Sequence, residues 1–272
     1  LKTLDFDFFE LLDSVTIARS RKHIEKYYDT SDIGKFPTRK KPISLRPVLT
    51  NLESATNYNQ IYEELSKLSL CIYTPSNYIF PSKIQKYIDL THNKGNELTQ
   101  TGREQGIRKL MSVNLLKRLE SSVNSFQLTL QRIYNLINDT IDKISRFEQY
   151  GTSSIDMYES SDTEWDIDDS NTEYFTVGNK VQIDLADIDY KTWRAELTSD
   201  IEVLNDLLSM LNVITPKYDG KLQSLLKVIS EKIENPININ NKKVLIFSAF
   251  SDTAEYLYEH VSAYIKEKYG LN

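Results

Sequence analysis

Between Leu116 and Phe147 the apolar positions advance by alternating steps of three and four: Leu116, Leu119, Val123, Phe126, Leu130, Ile133, Ile137, Thr140, Ile144 and Phe147. This heptad seam has one polar member, Thr140, and predicts an unbroken helix from Arg103 to about Gln149. At 1.5 Å per residue such a helix would be ~70 Å long, so it must protrude or pack along a partner. Leu197, Ile201, Leu204, Leu208 and Leu211 repeat the spacing in a helix from about Asp187 to Val213, which Thr215-Pro216 ends. The two seams predict a long antiparallel two-helix arm.

Around the arm the pattern is shorter. Phe6, Phe8, Phe9, Leu11, Leu12 and Val15 suit a buried helix, and the run Ile17 to Ile24 turns basic while staying helical. Gly34, Pro37, Pro42 and Pro47 then make Ser31 to Val48 an extended linker. Helical patterns return at Ala55 to Leu70 and Ser82 to Asp89, and again with Leu222, Leu225, Leu226, Ile229 and Ile233 before Asn235-Pro236. Last comes Val244-Leu245-Ile246-Phe247, apolar on both faces like a buried parallel strand. It leads through Ser248-Ala249-Phe250-Ser251 into a helix to about Tyr269, for which Asp252-Thr253-Ala254-Glu255 reads as a capping box. The fold class is therefore mainly α, a helical bundle with a two-helix arm and a C-terminal βα unit. One strand and one helix cannot close a sheet, so this reads as the start of a larger α/β domain.

Composition narrows the function classes. With 40% hydrophobic and 26% charged residues the 272-residue chain is an ordinary globular one. No run approaches the ~18 apolar residues of a membrane span and the acidic, aromatic N-terminus is unlike a signal peptide, so the expectation is a cytoplasmic protein without membrane contact. Cys71 is the one cysteine, and His23, His92 and His260 lie far apart, which argues against a disulfide and a zinc site.

Charge is uneven. Of the net −6, −8 lies in residues 151–179, leaving +2 elsewhere. That acidic stretch (Asp156, Glu159, Asp162, Glu164, Asp166, Asp168, Asp169 and Glu173) joins the two arm helices. It reads as a solvated tip, a partner-binding patch to which Trp165 could contribute, or a calcium loop, although the mid-loop glycine and closing glutamate of an EF-hand are missing. Between Ile17 and Arg46 nine Lys or Arg face three acids, with Tyr27 and Tyr28 alongside. This is either a solvated face or a track for a phosphate backbone. Arg108, Lys109, Lys117 and Arg118 read as the wet face of the long helix.

Several segments, in order, resemble the Swi/Snf-like branch of superfamily two helicases. Ala18-Arg19-Ser20-Arg21-Lys22 is similar to the basic pattern that closes the family's first RecA-like lobe, with its first arginine replaced, and Phe36-Pro37-Thr38-Arg39-Lys40 to the proline-lysine element after it. Asp219-Gly220-Lys221-Leu222 resembles the helix that precedes the second lobe, and Lys243 to Phe250 with Asp252-Thr253-Ala254 the opening of that lobe. Asn114 to Ser122 looks closest to bacterial RapA-like or defence-associated members.

The resemblance implies a segment of an ATP-dependent translocase, DNA ahead of RNA as its track, with a protein partner at the arm or acidic tip. It implies nucleic-acid contacts at Ser248, Phe250, Ser251 and Thr253 and at Arg19, Arg21, Lys22, Arg39, Lys40 and Lys41. It divides the chain into first-lobe exit helices (1–30), a proline-rich linker with short helices (31–102), the arm with its tip and return helices (103–235), and a truncated second RecA-like lobe (236–272). The departures are as informative: none of the eight glycines belongs to a phosphate loop, and there is no Asp-Glu magnesium pair or arginine finger. No catalytic, cofactor or metal residue is therefore expected here. ATP and magnesium would bind elsewhere in the parent protein, and the piece alone should hydrolyse nothing. The alternative is a helical coiled-coil interaction module with no enzymatic role.

Overall fold

The computed structural model describes residues 21–29, 36, 40–52, 56–87, 100–151, 154–156, 182–239 and 241–270. It divides into two compact units, one of residues 1–45 and 232–243, the other of 46–231 and 244–272. The first N-terminal apolar helix, Arg19, Arg39 and most of the acidic stretch, Trp165 included, lie outside the described residues.

The protein is mainly α. In the smaller unit α1 spans Arg21–Tyr27. The larger holds α2 (Tyr58–Leu65), α3 (Gln100–Ser121), α4 (Val123–Tyr150), α5 (Tyr190–Asn212), most of α6 (Gly220–Glu234) and α7 (Ser251–Tyr269). No described helix is long and apolar enough to cross a membrane.

The predicted single long helix is two helices. Ser122 adopts an extended backbone (φ −155°, ψ 152°) and its Oγ accepts the Ser125 amide at 3.0 Å, so it caps a new helix, α4, instead of continuing α3. Two consecutive serines, poor helix formers and good caps, account for the break inside an otherwise continuous seam. Beyond it the seam does what its spacing predicts: Val123, Phe126, Leu130, Ile133, Ile137 and Ile144 are buried against α5, where Leu197, Leu204, Leu208 and Leu211 are buried in turn. The pairing is antiparallel, since Gln127 at the start of α4 bonds Asn212 at the end of α5 while Glu148 meets Arg194 at the opposite ends. β1 (Ser154–Asp156) and β2 (Gln182–Asp184) form an antiparallel ribbon that carries the chain away from α4 and back to α5.

Residues 68–87 wrap this pair and are pinned by buried carboxylates. Asp200 accepts bonds from the Ser69 amide (2.7 Å) and the Cys71 amide (3.3 Å), and Glu104 accepts one from the Ser76 amide (3.0 Å). Lys86 and Tyr87 hold the Asp187 carboxyl down to about 2, so its contribution to stability is complete above the ordinary carboxylate range and is lost as pH falls through that value. Burial pushes the Cys71 thiol up to about 12 from its ordinary 9.0. The folded chain keeps that proton where the unfolded chain releases it, so stability should fall as pH rises above 9.0 toward 12. Iodoacetamide at pH 9 should label Cys71 only as fast as the chain opens. Rapid labelling of folded protein would contradict this burial.

The start of α6 is tied to the body by backbone. Gly220 donates to Leu49 O at 3.1 Å, and Asn51 donates to Tyr218 O at 3.2 Å. A Cβ on Gly220 would lie 2.1 Å from the Val48 carbonyl oxygen, a backbone atom with little room to move. Gly220→Ala should therefore cost about 3 kcal/mol in urea unfolding, the upper end for overpacking. A loss under about 0.5 kcal/mol would mean that the strand of chain at Val48 moves freely.

Candidate functional site

The last described element after α6 is the βα segment, and it departs from expectation in two ways. Val244 to Phe247 forms no regular element and pairs with no strand among the described residues; Leu245 is 83% and Phe247 89% exposed. A strand requires a neighbour to supply its ladder bonds, and none of the described chain does so. Val244, Ile246 and Ser248 line one side of a groove of about 240 Å³, with Ala254, Leu257, Tyr258 and Val261 of α7 on the other. The predicted capping box is absent: α7 begins at Ser251 after Phe250, with no side chain capping it, and Asp252 faces elsewhere.

Asp252 faces the helical body. Arg132 of α4 grips its carboxylate with two bonds, Nη1 to Oδ2 at 2.9 Å and Nη2 to Oδ1 at 3.0 Å. Arg118 of α3 donates from Nη1 to Asp252 Oδ2 at 2.9 Å and to Ser125 Oγ at 3.2 Å. Its guanidinium carbon lies 4.6 Å from the centre of the Phe250 ring, within cation–π reach. Arg118 is thus fully buried, not on a wet face as its sequence position suggests, because α7 and the Ser122 break close over it; Lys109 and Lys117 are exposed as expected. Its Nε and Nη2 are buried without a hydrogen-bond partner among the described residues.

Hydroxyls complete the junction. Thr253 Oγ1 meets Ser121 Oγ at 2.8 Å and Ser122 Oγ at 3.0 Å, so the serine that caps α4 also binds α7. Ser121 Oγ lies 3.5 Å from Ser248 Oγ, and Ser248 Oγ accepts the Phe250 amide at 3.1 Å. Behind the turn, Asp219 caps α6 through the Lys221 and Leu222 amides, at 2.9 and 3.0 Å, and accepts the Tyr256 hydroxyl of α7 at 3.0 Å. Burial and the nearby Asp219 carboxylate push the Tyr256 phenol well above its usual range. Ser230 and Tyr264 add a second α6–α7 bond at 2.7 Å.

Of the residues expected to touch nucleic acid, Ser248 is exposed and Ser251 half-buried, while Phe250 and Thr253 are buried against the helical body. The basic group lies in the other compact unit, with Arg21, Lys40 and Lys41 exposed, and Arg21 5.5 Å from the Phe36 ring centre. Nothing is described of the Lys22 side chain, Arg19 or Arg39. Among the described residues no cluster of three His, Cys, Asp or Glu could hold a metal ion. The residues that build the junction, Arg118, Arg132, Ser121 and Ser122, were not singled out for this role by sequence. The paired serines are the one local signal, since they announce a cap inside a helix.

Chemically the junction is a donor site. Two guanidinium groups hold one carboxylate beside a helix N-terminus, with the hydroxyls of Ser121, Ser122, Ser248 and Thr253 bonded to one another nearby, which suits recognition of negative charge more than acid–base or nucleophilic chemistry. No family model, curated protein or solved structure matches the chain.

Proposed function

We propose that the chain is the helical inter-lobe region of an ATP-dependent nucleic-acid translocase of the Swi/Snf-like kind, with residues from Lys243 onward opening its second RecA-like lobe. The observation that carries the reading is the terminal βα segment. Val244 and Ile246 face α7 while Leu245 and Phe247 stand in solvent, the pattern of a strand whose remaining neighbours and second covering layer come from further polypeptide. The Asp219–Tyr256 bond adds support, because it joins the two segments that resemble the helix before the second lobe and the opening of that lobe.

In this role the helical pair is a structural insertion. Arg21, Lys40 and Lys41 contribute exposed positive charge to a DNA backbone track, and Ser248 and Ser251 an accessible turn. ATP and magnesium bind elsewhere in the parent, which works in the cytoplasm. The second reading, a helical interaction module, is favoured by the continuous mutual burial of the α4 and α5 seams.

The test is DNA binding by the purified chain across a salt series. Affinity should fall steeply as salt rises, and Arg21→Glu/Lys40→Glu/Lys41→Glu should flatten the log–log slope by about 0.9 for each phosphate contact removed. Binding that is absent, or unaltered in slope by the triple substitution, favours the interaction module. Coding sequence upstream should carry a glycine-lysine-threonine loop under the first reading and lack it under the second.

A further inference from the structure

A cavity of about 280 Å³ opens between the start of α4, the end of α5 and the middle of α7. Part of its wall is apolar and fixed, because Val123 and Ile214 are buried members of the core. Two rings stand on the α7 side. The Tyr256 hydroxyl is already given to Asp219, and the His260 ring packs edge-on against Tyr256 with centres 4.6 Å apart. Tyr256 therefore offers the cavity its ring alone. The other polar groups that line the cavity are underused. Gln127 Nε2 donates to Asn212 Oδ1 at 2.6 Å, which leaves Gln127 Oε1 as an acceptor and the Asn212 amide nitrogen as a donor, neither with a partner among the described residues. The side chains of Asn124, Glu259 and His260 make no hydrogen bond or ion pair among the described residues. Charge narrows the ligand further. No Lys or Arg lines the cavity, Glu259 does, and Asn212 is the last residue of α5, the negative end of a helix dipole. The start of α4 is already answered by the Ser122 cap. The arrangement disfavours an anion and suits a neutral molecule with N–H donors.

We propose that this cavity binds a nucleobase carrying an exocyclic amine, of the cytosine or adenine type. Glu259 accepts the amine, and the Gln127–Asn212 amide pair meets the ring edge. Asn and Gln amides present the donor and acceptor that a base edge matches, and a carboxylate accepts from an amino group while repelling the carbonyl that uracil carries in its place. The apolar faces of the base are covered by Tyr256, His260 and the Val123–Ile214 wall, as rings and aliphatic side chains cover unstacked bases elsewhere. Size agrees: about 280 Å³ falls just under the ~300 Å³ at which pockets for drug-sized ligands begin, so one base fits and a larger cofactor does not. Sugar and phosphate stay in solvent. A free nucleoside and a base within a strand share this chemistry. The site lies wholly in the larger unit and does not need the translocase reading.

The experiment is saturation-transfer difference NMR of the whole chain with cytidine, adenosine and uridine. Saturable transfer to the base protons of cytidine and adenosine is expected, with uridine bound at least about fivefold more weakly. Glu259→Gln should weaken cytidine about fivefold and narrow its preference over uridine, because a side-chain amide can also donate to the uracil carbonyl. Asn212→Ala should weaken cytidine about threefold, the loss of one modest hydrogen bond. Both residues are exposed, so far-ultraviolet circular dichroism should not change. Adding a (dC)10 oligonucleotide separates the sources: displacement of cytidine identifies a base within a strand, and its persistence identifies a free nucleoside. Uridine bound as well as cytidine, no saturable transfer from any of the three, or cytidine binding unaltered in both folded variants overturns the proposal. Cytidine binding without salt-dependent DNA binding leaves this site standing and sinks the translocase reading; salt-dependent DNA binding without cytidine binding does the reverse.

Discussion

Asp252→Ala should lower the stability of the larger unit by about 3–5 kcal/mol, the usual cost of removing one partner from a buried ion pair. The reason lies in what remains. Arg118 is wholly buried and two of its nitrogens already lack a partner among the described residues, so without Asp252 the one bond described for its guanidinium is to Ser125 Oγ. Arg132, partly exposed, can turn to water, but Arg118 cannot without parting α7 from α3. Asp252→Asn keeps one acceptor oxygen and the shape, so it should cost less, about half as much, because a neutral acceptor bonds a guanidinium more weakly. Arg118→Met tests the sign: it removes the buried cation, leaves Asp252 paired with Arg132, and should destabilise less than Asp252→Ala. Urea unfolding with an unchanged slope gives each value. If Asp252→Ala costs under about 1 kcal/mol, the junction is not closed in solution.

That junction also shows how far the sequence could be read. The helical seams were legible because burial repeats with the helix period, and Leu130, Ile133 and Ile137 on α4 and Leu197 and Leu204 on α5 are buried where the spacing puts them. The break at Ser122 was not, because the apolar seam passes through it without losing phase; only the serine pair marks it. Arg118 was misplaced for a related reason. A charged residue beside an apolar seam is ordinarily solvated, and what buries this one is α7, more than a hundred residues away in sequence. Asp252 fits the sequence pattern of a cap three residues before Glu255, yet two guanidinium groups outcompete a backbone amide for its carboxylate. The expected buried strand at Val244 to Phe247 is not formed: residue type foretells a two-sided apolar strand, but none of the described residues pairs with it and Leu245 and Phe247 are exposed. Of the candidate contacts, Ser248, Lys40 and Lys41 are exposed, whereas Thr253 is buried through long-range bonds to Ser121 and Ser122, and Phe250 beside Arg118, which no local pattern announces.

Trp193→Ala should cost about 3–5 kcal/mol, the range for truncating a buried aromatic. Trp193 is the largest fully buried side chain among the described residues and stands where α5 meets the 68–87 segment, 5.9 Å from the Tyr78 ring centre. Its Nε1 donates to Cys71 O at 3.2 Å. Volume, not that bond, should dominate the loss. The Cys71 carbonyl also accepts the Thr74 amide at 3.1 Å, so Trp193→Phe orphans no acceptor and should cost only about 1–2 kcal/mol in lost volume and one hydrogen bond. The two substitutions therefore separate packing from hydrogen bonding at one position. Cys71 supplies an independent reading, because its thiol is buried beside the same contact. Alkylation should accelerate strongly in Trp193→Ala, where the cover over the 71–73 turn is thinned, and only slightly in Trp193→Phe. Unfolding should be followed by far-ultraviolet circular dichroism, since the substitutions remove one of the two tryptophans and so change the fluorescence signal itself. Equal losses in the two variants would mean that the bond to Cys71 carries the contact and that packing around the indole is loose.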